Sequence, residues 1–221
     1  MRSLHRSIIF CLLAVVLLGG GSVSAYDDGD WQYWNREGIE GNISRDLKAK
    51  MEVEFRFGDN CSELYHQYSE LGLTYRCAGW LDLGLNYRQI YEKKGEVWKQ
   101  ENRPHINATF KWRWSNFKLE DRSRLEYRVR EGKDDVFRYR NRLLLKLPLK
   151  WTDLNIQPYV ADEIFLDFEK GELNRNRLYL GANGNLGKGL KAETYYLWQT
   201  SKSKDHWDDH NMIGTKLKAA F

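Results

Sequence analysis

Apolar and charged side chains alternate one by one along most of this chain, in stretches of about ten residues. In Leu47-Lys48-Ala49-Lys50-Met51-Glu52-Val53-Glu54-Phe55-Arg56-Phe57 every odd position is apolar and every even one charged. Ile106, Ala108, Phe110, Trp112 and Trp114 oppose His105, Asn107, Thr109, Lys111 and Arg113 in the same way. Phe137, Tyr139, Leu143 and Leu145 oppose Arg138, Arg140, Arg142 and Lys146. A strand sends successive side chains to opposite faces, so each stretch has one greasy face and one charged face. Helical spacing fits none of them.

Eleven stretches read this way: 31–43, 47–57, 64–75, 80–91, 103–113, 117–130, 136–147, 154–166, 173–183, 190–200 and 211–221. The intervening connections alternate between tight (44–46, 76–79, 115–116) and longer and polar (58–63, 92–102, 201–210). Short turns at one end and longer loops at the other are an outer-membrane pattern. The fold class expected is therefore an all-β, antiparallel, up-and-down transmembrane β-barrel. Single-chain bacterial barrels have even strand numbers. That makes ten or twelve strands the expectation, twelve slightly ahead, through a partial first stretch or a concealed hairpin.

A soluble sandwich would alternate too, but three features weigh against it. The charged face carries Arg122, Arg124, Glu126, Arg128 and Arg130 in one unbroken row. Trp80, Trp112, Trp114 and Trp151 gather near short turns, with Tyr91 and Trp198 towards the other end, resembling two aromatic girdles. Ile213, Thr215, Leu217, Ala219 and Phe221 alternate up to the last residue, which resembles an assembly signal for barrel-insertion machinery. The 13 tyrosines, 9 tryptophans and only 3 prolines suit pleated surfaces, where proline cannot donate to a ladder.

The first residues read as an export signal. Arg2, His5 and Arg6 precede the apolar run Ile8–Leu18, Gly19–Gly21 break it, and Val23-Ser24-Ala25 offers a cleavage site, making Tyr26 the first mature residue. The run is shorter than the roughly 20 residues of a spanning helix. Two units follow: a signal peptide at 1–25 and a barrel at 26–221. Losing Arg2 and Arg6 takes the basic residues from 35 to 33 against 31 acids, about +2, so charge gives no sign of nucleic acid as a partner. The expected partners are outer-membrane lipids and lipopolysaccharide, the barrel-assembly machinery and small anionic solutes.

The pieces Asp30-Trp31, Glu54-Phe55-Arg56, Glu70-Leu71-Gly72-Leu73, Tyr87-Arg88, Arg138-Tyr139-Arg140-Asn141-Arg142 and Pro158-Tyr159 resemble the Gram-negative family known as domain of unknown function 2490. The resemblance spans nearly the whole mature chain through loose strand patterns. It implies an outer-membrane barrel and supplies no catalytic residues.

Facing the charged side inward lines the lumen with Glu54, Arg56, Glu70, Arg88, Arg113, Arg122, Arg124, Glu126, Arg128, Arg138, Arg140, Arg142, Glu163, Arg175 and Arg177. Two consequences stay open. Arg–Glu forks could fill a narrow interior and satisfy one another. Alternatively, surplus positive charge could make a small anion-preferring pore or solute-binding channel. A structural or envelope-interaction barrel acting through its outer loops is the other role. A lipid-modifying hydrolase is the weakest.

Asp121, Ser123 and Asn141 interrupt the lipid-facing register, each at a cost of about 1–4 kcal/mol in hydrocarbon. A bulge turning them inward is the first explanation; a subunit interface, a lipid-headgroup contact or a hydrolase site are the others. The hydrolase lacks a histidine, because His105 points inward by register and His66 lies strands away. His206-Trp207-Asp208-Asp209-His210 reads as a solvated loop and 184–189 as a turn, with no metal or cofactor expected. Cys61 and Cys77 fall at opposite ends of one strand, on the order of 35 Å apart, too far for a disulfide.

Overall fold

A computed structural model describes residues 29–149, 154–203 and 206–221. Residues 1–25, Tyr26 and Trp151 lie outside the described residues. The strands are β1 (Trp31–Asn42), β2 (Leu47–Gly58), β3 (Glu63–Ala78), β4 (Leu81–Lys94), β5 (Val97–Trp114) and β6 (Phe117–Arg130). They continue as β7 (Val136–Lys146), β8 (Gln157–Asp167), β9 (Glu172–Gly187), β10 (Leu190–Ser203) and β11 (His206–Ala220). Each pairs with its neighbours in sequence, and the sheet closes into a barrel through β1 and β11.

The strand number is eleven, not ten or twelve. Every alternating stretch is a full strand, and the parity expected of bacterial barrels misleads here. Successive strands reverse direction, so the first and last of an odd set run the same way. β1 and β11 accordingly pair in parallel, from Trp31↔Asn211 to Glu40↔Ala220, while every other pair is antiparallel. Parallel pairs are slightly less stable per residue, and side chains reinforce this seam. Outside, the Tyr33 hydroxyl meets Thr215 Oγ1 at 2.7 Å, and Asn35 donates to the same oxygen at 3.2 Å. Inside, Lys218 reaches Glu40 at 3.1 Å.

The connections also differ from expectation. Residues 92–102 and 201–210 are mostly strand, because Lys93, Lys94, Val97 and Trp98 continue the pleat past the predicted boundary. The hairpin β4–β5 needs only Gly95 and Glu96, with Gly95 at positive φ. β7 ends at Lys146 and β8 begins at Gln157, so the two strand ends furthest apart in sequence lie on the side expected to carry short turns. We call the two ends by the residues that mark them, Phe221 and Trp31.

The outward face is apolar at mid-height: Leu71, Leu73, Leu83, Leu85, Ile106, Leu180 and Ile213 are all exposed. Aromatic rings flank that band. Trp80, Phe110 and Trp112 stack in sequence, at 6.1 and 6.0 Å between centroids, towards the Phe221 end. Trp31 and Tyr196 meet at the other end. Cys61 and Cys77 are free and exposed, as their separation along β3 demands. Cys77 belongs to β3 itself rather than to the turn. Burial, with Asp30 nearby, pushes the Cys61 thiol above its ordinary range, which keeps it protonated.

Candidate functional site: the barrel lumen

Four inward glutamates, Glu54, Glu70, Glu126 and Glu163, are 0–1% exposed. A carboxylate stripped of water costs several kcal/mol unless cations and hydrogen bonds replace the solvent. Each is replaced generously. Glu54 accepts from Arg36 Nε and Arg56 Nε, both at 2.6 Å. Glu70 holds Lys50 at 2.6 Å and Arg88 at 2.7 Å. Glu126 takes Arg138 at 2.6 Å and Arg140 at 3.0 Å, with Arg124 and Arg103 at 3.4 and 3.7 Å. Glu163 takes Arg140 at 2.8 Å, Arg122 at 3.1 Å and the Tyr179 hydroxyl at 3.1 Å. Arg140 thereby bridges Glu126 and Glu163 through separate nitrogens of one planar fork.

The register explains why these carboxylates are needed. Arg122 stands directly opposite Arg142, and Arg124 opposite Arg140, across β6 and β7. Like charges so paired repel. Glu126 lies within the β6 row opposite Arg138, and Glu163 on β8 stands opposite Arg142, so each arginine row has a carboxylate beside it.

Rings fill what the ion pairs leave. Arg56 lies 3.7 Å over the Trp34 ring and Arg88 3.7 Å over Tyr68. Phe165 is surrounded by Arg138, Arg140, Arg175 and Arg177 at 4.5–5.5 Å. Arg177 also reaches Trp34, so β9 and β1 touch across the interior. Trp34, Tyr159, Tyr179, Tyr195, Leu197 and Met212 form a buried cluster beside them. Glycine makes room for two of these rings. A Cβ on Gly181 would fall 2.6 Å from the Tyr159 ring, and one on Gly214 would fall 2.0 Å from Tyr195. Each tyrosine is the direct cross-strand partner of its glycine.

Of the residues expected to line the lumen, all but one join this interior. Arg113 faces inward by register, but it is exposed at the Phe221 rim and makes no ion pair among the described residues. Sequence inspection missed Arg36, Arg103 and Glu101, which pairs Arg103 and Arg128. It also missed the inward Trp34, Tyr68, Phe165, Tyr179 and Tyr195. Counting by twos from Glu163 and Arg177 would have placed Phe165 and Tyr179 inside.

The bulge expected at the polar residues of the outward face does not exist. The β6–β7 register runs unbroken from Lys118↔Lys146 to Arg128↔Val136. Asp121, Ser123 and Asn141 therefore stay outward and satisfy one another. Asn141 Nδ2 donates to Asp121 at 2.5 Å and to Ser123 at 3.3 Å, and Ser123 Oγ meets the Tyr139 hydroxyl at 2.9 Å. Serine activation needs a base, but His66 and His105 are buried on the opposite face of the sheet. His206 and His210 belong to β11 rather than to a loop, and His206 Nε2 pairs with Asp208 at 2.9 Å. No cluster suited to a metal ion occurs among the described residues.

At the Phe221 end the interior opens into a vestibule of about 460 Å³. Its cations are Lys118, Arg142, Lys146, Lys191, Lys216 and Lys218, against the carboxylates Glu120 and Glu193.

The model of the family described as "Protein of unknown function (DUF2490)" matches residues 31–211. The chain belongs to this family. The match begins at the start of β1 and extends into β11, so it takes in nearly the whole barrel of this family member. No curated protein matches it in sequence. Among solved structures, it is similar to the beta domain of the Bordetella autotransporter BrkA. The identity is 13%, covering 77% of this chain and 82% of that one, with a TM-score of 0.46. It is also similar to an anion-selective porin from Comamonas acidovorans, at 14% identity over 79% of this chain and 55% of that one, with a TM-score of 0.41. Both likenesses are loose, and neither bears on function.

Proposed function

We propose that the protein is an exported, non-enzymatic outer-membrane barrel whose lumen is closed at mid-height by its own ion pairs. It serves the envelope as a sealed scaffold rather than as an open pore. One observation carries this: Glu54, Glu70, Glu126 and Glu163 are almost wholly removed from solvent, each held by two or more cations. An aqueous channel along the axis would wet these groups. The apolar outer band between aromatic rings supports hydrocarbon contact there. Phe221, whose amide donates to the Glu40 carbonyl at 3.0 Å, supports a role for the last strand in assembly at the seam.

An anion-preferring pore is the second reading. It is favoured by Arg142 and Arg175, which have no carboxylate partner among the described residues and rest on the Tyr179 and Phe165 rings instead. Planar bilayers separate the two. The sealed barrel gives heat-modifiable migration on a gel and no steady conductance. Sustained anion-selective current through the wild-type protein would overturn closure in favour of the pore.

A further inference from the structure

We propose that the vestibule at the Phe221 end is a binding site for a small soluble oxyanion bearing two or more negative charges, such as a phosphate monoester or pyrophosphate. This rests on the sealed barrel proposed above and adds a ligand class to it. The inward arginines are the obvious source of anion attraction, but most of them are already locked in ion pairs that share buried glutamates. Cations free to take a new partner from solvent lie elsewhere.

Six cationic side chains face two carboxylates across the vestibule. Some of that charge is already engaged. Lys146 pairs with Glu120 at 2.9 Å, Lys218 with Glu40 at 3.1 Å, and Lys216 approaches Glu52 at 4.0 Å. Glu193 spends one oxygen on the Tyr159 hydroxyl at 2.6 Å. Lys118 from β6 and Lys191 from β10 pair with nothing among the described residues, and they stand on different walls. Arg142 forms the floor. Its guanidinium rests 4.5 Å over Tyr179, and its buried Nε has no hydrogen-bond partner. A buried donor without an acceptor is costly, and an anion oxygen entering from the mouth would supply one.

The volume falls within the roughly 300–1,000 Å³ common for small-molecule sites. Polar neighbours Gln157, Asn183 and Asn185 provide hydrogen-bonding groups without added charge. The closed floor makes this a dead-end pocket, so an anion would be held rather than passed. The ring of strands separates the vestibule from the lipid-facing wall, so the ligand is a water-borne anion rather than a lipid headgroup.

The test uses the full barrel in detergent, titrated calorimetrically with inorganic pyrophosphate at constant ionic strength. We expect saturable binding that weakens at least tenfold in Lys118→Gln/Lys191→Gln. It should change less than twofold in Lys133→Gln/Lys170→Gln, which removes equal charge from the Trp31 end. Moving the protein into phosphatidylglycerol nanodiscs should leave the affinity within twofold of that in phosphatidylcholine. Absence of saturable binding up to millimolar pyrophosphate, equal loss in both double variants, or competition by phosphatidylglycerol would each overturn the site. Gel migration and bilayer conductance of the same preparation report on the sealed barrel separately, so failure of one is not failure of the other.

Discussion

The mid-lumen and the vestibule are both lined by cations, yet they are built from different residues and reach opposite outcomes. At mid-height the cations are mostly arginines, each fork matched to a buried carboxylate or laid on a ring, and little solvent-exposed surface remains. Towards the Phe221 end they are mostly lysines, point charges on flexible stems, and two have no counter-ion. A planar fork with five donors holds two carboxylates in a fixed, pre-organised geometry; an ammonium is a compact point charge without that fixed geometry. Arginine therefore suits a dry interlock and lysine a wet, adaptable mouth.

The comparison breaks most readily at Glu126. Glu126→Ala leaves Arg103, Arg124, Arg138 and Arg140 facing one another, and removing one partner of a buried pair costs about 3–5 kcal/mol. Urea unfolding in detergent should record that loss; an unchanged midpoint would mean that the mid-lumen is wet. Arg140→Lys is a gentler probe that keeps the charge but replaces the two nitrogens that reach Glu126 and Glu163 separately with one, on a shorter stem. Losing a charged hydrogen bond there should cost about 1.5–3 kcal/mol in the same assay.

The smallest effect belongs to the vestibule. Lys118→Gln should leave the unfolding midpoint where it is, since it breaks no ion pair among the described residues. Raising salt from 0.1 to 1 M contracts the Debye length from about 10 to 3 Å. Anion binding in the open mouth should fall several-fold over that range while the stability of the mid-lumen hardly moves. A parallel response of both regions would erase the distinction.

Most of the strand plan was legible because a two-residue period leaves a direct trace in the chain. All eleven strands, and the sidedness of residues such as Glu54 and Arg138, follow from it. Three things were not legible. Residues 92–102 look like a loop by polarity, yet the backbone continues as strand because both faces of that hairpin tolerate polar side chains. The polar trio Asp121, Ser123 and Asn141 invites a bulge, but mutual hydrogen bonds let it stay outward without one. Parity suggested an even count, although a parallel seam closes an odd one.

The amino-acid order alone determined that this chain forms amphipathic strands, with arginine and glutamate on the face turned away from the apolar band. That much is local, since side-chain direction in a strand depends only on position. Which arginine meets which glutamate, that Arg142, Lys118 and Lys191 are left over, and that the barrel shuts between β1 and β11 were decided by closure. Most of those pairs join neighbouring strands, as Glu70 on β3 joins Arg88 on β4, so the register of the finished sheet selects them, and its curvature adds contacts across the interior such as Arg177 over Trp34.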